Sequence, residues 1–221
     1  MADIAIFDLD YTLTKRGTWG RFVLKNISSR PHLWLPFALC TAKAQWLYKT
    51  GRKKRVSVKK EMMRWSMAGT SKEDIIRRAE AFADKEVPRG LRPGALKALK
   101  EHRERGDEII IASAAVNVIV DSIARRLDVK YWVSTEMKWE NGRLAPDFET
   151  ENCYGAEKLE RVKSLFASHP QLKQDGSHIT TYSDSVSDLD ILRYSDKGVA
   201  VNADKKLKAI SPSENFDIVE W

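Results

Sequence analysis

Two aspartates, Asp8 and Asp10, follow a short apolar run at 4–7 and are separated by one residue. In extended chain alternate side chains point the same way, so both carboxylates face one side. Two like charges this close raise one carboxyl pKa unless a cation shares them. Magnesium, which prefers oxygen ligands, is the simplest such cation. The spacing therefore predicts a metal-assisted acidic site at the end of a strand.

Three other candidate positions lie far along the chain. Asp184 and Asp188 follow a second apolar run at 178–183, and their carboxylate oxygens suit the same hard cation. Ser113 ends a third run, and the small side chain of Ala114 behind it permits main-chain N–H groups to approach an anion. At the ends of parallel strands these side chains would form one oxygen-rich site that binds an anion.

Lys158 adds a positive charge early in a later helical segment. Taken singly, a strand-end aspartate or serine more often caps a turn or a helix, and a lone lysine is more often solvated. It is the conjunction of acids, hydroxyl and lysine, in this order along the chain, that predicts catalysis.

The elements that must position these residues alternate along the chain. Candidate strands lie at 4–7, 109–112, 129–134, 178–183 and 198–202, with helical patterns between them. This alternation predicts an α/β fold with a Rossmann-like doubly wound parallel sheet. Asn141-Gly142 is a hairpin turn signal and predicts a small β excursion at 136–148.

Residues 14–89 contain no convincing parallel strand and are far too many for an ordinary crossover. We expect them to form an inserted helical cap domain, with 1–13 and 90–221 forming the α/β core domain. Ser71, or Thr70 before it, followed by Glu73 and Asp74 predicts the start of a cap helix.

The net charge of the 221-residue chain is +7, and the seven Lys and Arg of the acid-free stretch 49–60 account for all of it. That stretch has neither interleaved aromatics nor a known nucleic-acid module, so a nucleic-acid partner is not expected. Two cysteines far apart, Cys40 and Cys153, give no disulfide framework. With no export signal at the start, we predict a cytoplasmic protein.

The sequence resembles the haloacid dehalogenase superfamily, specifically its phosphoserine-phosphatase-like branch, subfamily IB. Asp8-Leu9-Asp10-Tyr11-Thr12 fits the first motif, the run ending at Ser113 the second, Lys158 the third, and Asp184 with Asp188 the fourth. Segments 95–115 and 141–162 also resemble that branch. Tyr11 stands where a small residue is common in the family, and Asp190 replaces a frequent Pro.

The resemblance implies a Mg²⁺-dependent phosphatase that hydrolyses a phosphate monoester through an aspartyl phosphate on Asp8. Asp10 would be the general acid and base. Ser113, Ala114 and Lys158 would bind the phosphoryl group. The metal ligands implied are Asp8, the main-chain carbonyl of Asp10, and Asp184, with Asp188 acting directly or through water and Lys158. A non-enzyme alternative is a receiver-like signalling domain, which would need neither an insertion after the first strand nor Asp10 as an acid.

The substrate is less determined than the reaction. Phosphoserine phosphatases usually carry a Glu for the substrate amino group at the position of Gly17. We therefore favour another small phosphorylated metabolite or a lipid phosphate, with phosphoserine as the alternative. Lys15 and Arg16 are candidates for binding a more anionic substrate, although a solvated hinge is the interpretation we favour for them.

Residues 31–60 carry a second hint about function. The stretch 31–42 is uncharged and rich in Leu, Trp and Phe, but it is too short to span a bilayer. Leu35, Leu39, Ala42 and Trp46 form a helical stripe, and the interpretation we favour is a helix packed in the cap core. The alternative is an interfacial helix that, with the basic stretch beside it, contacts an anionic membrane at the inner face.

Overall fold

The computed structural model describes residues 2–221. Six parallel strands form the central sheet in the order β3-β2-β1-β6-β7-β8. They are β1 (Ile4–Phe7), β2 (Glu108–Val116), β3 (Tyr131–Thr135), β6 (Ile179–Ser183), β7 (Lys197–Val201) and β8 (Asp217–Val219). The chain runs outward from β1 in one direction and from β6 in the other. The strand order therefore reverses between β1 and β6, which is where open α/β sheets bind ligands.

Both faces of the sheet are buried, as the continuous apolar strands require. Along β1, Ala5 and Phe7 face one core cluster, and Ile4 and Ile6 face another. Helices α5 (Pro93–Arg105) and α6 (Asn117–Arg126) cover the first face, and α7 (Ala156–Ser168) and α8 (Leu189–Tyr194) cover the second. A last short helix, α9 (Lys205–Ile210), follows β7. The predicted doubly wound α/β fold is confirmed.

The segment between β1 and α5 is entirely helical, and we call residues 14–89 the helical insertion. Its helices are α1 (Thr18–Ile27), α2 (Trp34–Lys49), α3 (Arg55–Ser66) and α4 (Lys72–Gly90). Ser71 caps α4 by accepting a hydrogen bond from the Asp74 N–H at 3.3 Å. A bridge between Thr14 and Leu91 pairs the two chain segments that enter and leave the insertion.

The predicted hairpin is present as a separate two-stranded sheet, β4 (Met137–Glu140) and β5 (Arg143–Phe148). Asn141 and Gly142 both have positive φ values, 49° and 73°, as the tight turn between them requires. Arg143 pairs with Ser71, so the hairpin joins the start of α4 to the core. In residues 2–221, no helix is both long enough and apolar enough to cross a membrane.

Candidate active site

The order reversal in the sheet brings the two acidic strand ends side by side. Phe7 pairs with Tyr182 in register, and the Asp8 N–H donates to the Tyr182 carbonyl at 3.0 Å. Asp8 and Asp184 therefore leave neighbouring strands at the same edge. Thr12 links them, because its hydroxyl lies 3.3 Å from Asp8 Oδ2 and 3.4 Å from Asp184 Oδ1, and it accepts from the Asp184 N–H.

Lys158 reaches the same point from the first turn of α7 and is 2% exposed. Its Nζ donates to Asp8 Oδ1 at 2.8 Å and to Asp188 Oδ2 at 2.7 Å. Burial alone lowers a lysine pKa, but the carboxylates of Asp188 and Asp8 outweigh burial and raise it. Lys158 is therefore permanently charged and fixes the position of both carboxylates.

One lysine does not neutralise three carboxylates. Burial raises the pKa of Asp8 to about 8, with Asp188 and Asp184 adding to the effect and Lys158 opposing it. Burial and Asp188 raise the pKa of Asp184 to about 6. A further cation beside them would favour the ionised forms of Asp8 and Asp184.

The donor set fits a hard divalent ion. Asp188 Oδ1 is buried and has no hydrogen-bond partner, although Oδ2 also accepts from the Ser183 hydroxyl at 2.7 Å. No group of three or more His, Cys, Asp or Glu side chains within 2–221 surrounds a common point closely enough to hold a metal alone. A magnesium ion at Asp8 and Asp184 would take its remaining ligands from a main-chain carbonyl, water or a phosphate oxygen.

Asp10 sits in a tight turn directly after β1. The Thr14 N–H donates back to the Leu9 carbonyl at 2.9 Å, and Tyr11 within the turn has a φ of 67°. Such a φ is unfavourable for a bulky residue, and it is tolerated here because the turn is held at both ends. The Thr18 N–H donates to Asp10 Oδ1 at 2.8 Å, and burial raises the Asp10 pKa.

The residues predicted for catalysis, metal binding and phosphate binding line one cavity of about 240 Å³. Ser113 is 1% exposed, and its Oγ accepts from the Ala115 N–H at 3.0 Å, which holds the irregular end of β2 between Ala112 and Val116 in place. The residues lining the cavity are Asp8, Asp10, Tyr11, Arg55, Ser113, Ala114, Tyr154, Lys158, Asp184, Ser185, Ser187 and Asp188. All the residues predicted for catalysis, metal binding and phosphate binding are in this set.

Lys15 and Arg16 are not among them. They line a different cavity of about 310 Å³, together with Arg21, Lys85 and Arg89. Lys15 Nζ donates to the Arg89 carbonyl at 3.3 Å, across the two segments that join the insertion to the core. The structure therefore places both residues where the insertion joins the core.

Three insertion and loop residues at the site were missed in the sequence. Arg55 and Tyr154 line the cavity, with the guanidinium 4.8 Å from the Tyr154 ring centre. Lys59 Nζ donates to the Ala114 carbonyl at 2.6 Å and to Asn152 Oδ1 at 2.7 Å. Arg55 and Lys59 are four residues apart and share a helix face, and this spacing was the available signal.

Burial lowers the pKa of Lys59 to about 8. Lys60, its neighbour, instead forms an ion pair with Asp147 at the surface. Lys59 is therefore not part of the exposed basic surface formed by the basic residues of 49–54. It links α3 to Ala114 at the end of β2.

Among curated proteins, CicA of Caulobacter vibrioides is 26% identical over 195 residues, covering 88% of this chain and 83% of CicA. Phosphoserine phosphatase SerB1 of Mycobacterium tuberculosis is 23% identical over 224 residues, covering 98% of this chain and 70% of SerB1. Both similarities extend over nearly the whole chain, including the insertion.

A crystal structure of a protein of unknown function from Bordetella pertussis Tohama I matches with a TM-score of 0.86 at 20% identity, covering 99% of each chain. Solved phosphoserine phosphatases, one of them described as probable, match with TM-scores of 0.57 to 0.70. The family model for haloacid dehalogenase-like hydrolases matches residues 5–193. This chain therefore belongs to the haloacid dehalogenase-like hydrolases, and its resemblance to the phosphoserine-phosphatase-like branch is confirmed.

Proposed function

We propose that the protein is a Mg²⁺-dependent phosphatase that hydrolyses a phosphate monoester through an aspartyl phosphate on Asp8. The observation that supports this most directly is Lys158 bonded to Asp8 and Asp188 within one cavity, beside Asp184 and Asp10. Such a site places a nucleophile, a positive charge and an acid around a volume that a phosphate group can occupy.

In the first step a carboxylate oxygen of Asp8 forms a bond to phosphorus while the P–O bond to the leaving group breaks. Asp10 gives its proton to the departing oxygen. Burial raises the pKa of Asp10, which favours the protonated form that this step requires. Water then attacks the aspartyl phosphate, Asp10 takes the proton from that water, and inorganic phosphate leaves with Asp8 regenerated.

Lys158 and Ser113 hold the phosphoryl oxygens during both steps. Asp8, Asp184 and the main-chain carbonyl of Asp10 would hold Mg²⁺, and Asp188 would act directly or through water and Lys158. When bound, Mg²⁺ would supply positive charge that stabilises the charge on the transferring group and keeps the carboxylates ionised.

We propose that the helical insertion acts as a cap that selects the substrate. A side chain at Gly17 would begin 3.3 Å from the Tyr11 hydroxyl, so the Tyr11 ring occupies the space in which an acid at position 17 would extend. Position 17 therefore offers no carboxylate to a substrate amino group, which disfavours phosphoserine. Arg55 adds a positive charge to the cavity and favours a small phosphorylated metabolite, or a lipid phosphate, with a further anionic group.

The proposal is tested by a screen of phosphate monoesters with Mg²⁺, including phosphoserine, sugar phosphates, nucleotides and lysophospholipids. We expect sustained turnover that falls to background in Asp8→Asn, while Asp190→Asn, which changes an exposed acid after the fourth motif, keeps it. Turnover that survives in Asp8→Asn would refute the nucleophile. Exclusive turnover of phosphoserine would refute the argument from Gly17.

The receiver-like alternative has less support. It expects no insertion after the first strand, yet four helices lie between β1 and α5. It also predicts stoichiometric, long-lived phosphorylation of Asp8 in place of turnover. Acid quenching during the reaction separates the two, since a phosphatase accumulates the aspartyl phosphate only transiently.

A further inference from the structure

Exposed apolar side chains are concentrated on α2. Five of the ten large hydrophobic side chains exposed within residues 2–221 belong to this helix: Trp34, Leu35, Leu39, Trp46 and Tyr48. Scattered exposed apolar residues are ordinary, but a contiguous group on one element marks an interaction surface.

The predicted stripe on α2 faces away from the protein. Leu35, Leu39 and Trp46 are 70%, 62% and 54% exposed, and the residues of α2 that are buried, Phe37 and Ala44, lie about half a turn around the helix. The interpretation of this stripe as part of the cap core is therefore wrong. The helix packs by its other side and leaves the stripe uncovered.

Positive charge surrounds the stripe. Residues 31–60 contain no Asp or Glu. Lys43, Lys49 and the basic residues at 52–54 are exposed, and the Arg52 guanidinium lies 5.2 Å from the Trp46 ring centre. Trp and Tyr with Lys and Arg around a leucine face are the composition of a helix that lies in a membrane interface.

We propose that the α2 face, defined as Leu35, Leu39, Ala42 and Trp46 with the flanking basic residues at 43, 49 and 52–54, docks on an anionic lipid surface. Charge complementarity decides between this occupant and a second copy of the chain. In a two-fold dimer this face would meet itself, which would bring two basic clusters together with no acid in 31–60 to offset them. Anionic headgroups instead neutralise these charges while the leucines and Trp46 enter the interface.

The docking face continues toward the active site. Tyr48 and Lys54 line a cavity of about 400 Å³ that also includes Arg55 and Tyr154. Arg55 and Tyr154 also line the cavity that contains Asp8. A protein docked through α2 would thus have the approach to Asp8 on the side near the lipid. This orientation, unlike docking itself, rests on the proposed phosphatase function.

The experiment is flotation of the full-length protein with vesicles of phosphatidylcholine, alone or mixed with phosphatidylglycerol. We expect binding to the anionic vesicles, and a loss of about tenfold or more in Leu35→Glu/Leu39→Glu. Leu96→Glu is the matched control, because Leu96 is 47% exposed on α5 of the core. Lys53→Glu/Lys54→Glu should weaken binding similarly, whereas Lys205→Glu/Lys206→Glu at the exposed start of α9 should not.

Several results would overturn the proposal. They are an absence of vesicle binding, equal binding to uncharged vesicles, or equal losses in the control variants. Conversion of a dimer to a monomer by Leu35→Glu/Leu39→Glu, without vesicle binding, would assign the face to a second copy. Failure of docking is distinguishable from failure of the catalytic proposal: the α2 variants should still hydrolyse soluble p-nitrophenyl phosphate, and Asp8→Asn should still bind vesicles.

Discussion

At the carboxyl ends of β1 and β6, Asp8, Asp188 and Lys158 are almost completely buried and bonded to one another. On α2 and α3, by contrast, Lys43, Lys49 and their neighbours stand in solvent beside exposed leucines and tryptophans. Buried charges must be paired, so their positions are fixed by the fold. Exposed charges are free to meet an external partner. The buried region therefore has the features of a catalytic site, and the exposed region on α2 and α3 has those of an interaction surface.

Lys59 is the exception that connects them. It belongs to the basic stretch by sequence, yet its Nζ is bonded to the Ala114 carbonyl beside the active site. Lys59 thus fixes one positive charge of the insertion beside the core site, and Arg55 adds another to the cavity, whereas Lys43, Lys49 and the basic residues at 52–54 remain in solvent. Four predictions test how sharply this division holds.

The largest effect is expected from Asp10→Asn. Asparagine keeps an oxygen that accepts from the Thr18 N–H but cannot transfer a proton, so kcat should fall about 10² to 10⁴-fold. The fall should be larger for alkyl phosphates than for p-nitrophenyl phosphate, since p-nitrophenolate leaves without a proton. Steady-state kinetics on both esters measure this, and an equal fall for the two would refute the role of Asp10 as the acid that protonates the leaving group.

Next comes Lys158→Met, which leaves two buried carboxylates without their partner. We expect a loss of about 3–5 kcal/mol in the free energy of unfolding, measured by urea denaturation. Lys163→Met is the matched control on the same helix, where the Glu160 ion pair is exposed and should contribute little to stability. Similar losses in the two variants would contradict the contrast between buried and exposed charge.

Removal of Mg²⁺ should make stability depend on pH. A carboxyl whose pKa is higher in the folded chain contributes fully below its unfolded value, 3.8, and loses that contribution as the pH rises through the folded value. With folded values of about 6 for Asp184 and about 8 for Asp8, the metal-free protein should lose stability between about pH 4 and 8.

Added Mg²⁺ should restore stability most at the upper end of that range, because it binds the deprotonated carboxylates. Denaturation with EDTA or with Mg²⁺ across the range measures both effects, and Asp8→Asn should flatten the metal-free slope. Stability that instead rises with pH in EDTA would refute the predicted electrostatics of the site.

The smallest effect is expected from Lys59→Met, paired with Lys60→Met. Loss of the charged hydrogen bonds to Ala114 and Asn152 should lower kcat/KM by about tenfold, because α3 is then less firmly held over the site. Lys60 forms a surface ion pair, so its variant should stay within about twofold of the parent. Equal effects would mean that Lys59 belongs functionally with the exposed basic residues.

The sequence by itself indicated five of the six strands of the central sheet, the acidic ends of two of them and the hairpin, because apolar runs, Asn-Gly turn chemistry and the four motifs are local in the chain. The sixth strand, β8, was not predicted, since its three residues form no apolar run. Asp8, Asp10, Ser113, Lys158 and Asp184 could all be named in advance for that reason. A local pattern also revealed the helix containing Leu35 and Trp46. It did not reveal which side of that helix would be covered.

Only the tertiary structure decided which parts of the insertion meet the core. Apolar residues at helical spacing look the same in the sequence whether their face of the helix is packed or exposed. A lysine is likewise the same residue whether its side chain is solvated or hydrogen-bonded to a buried carbonyl. Leu35, Lys59 and Arg55 therefore acquire their different environments from the way α2 and α3 pack. Contacts between residues as far apart as Lys59 and Asn152 depend on the whole fold, and no short-range pattern encodes them.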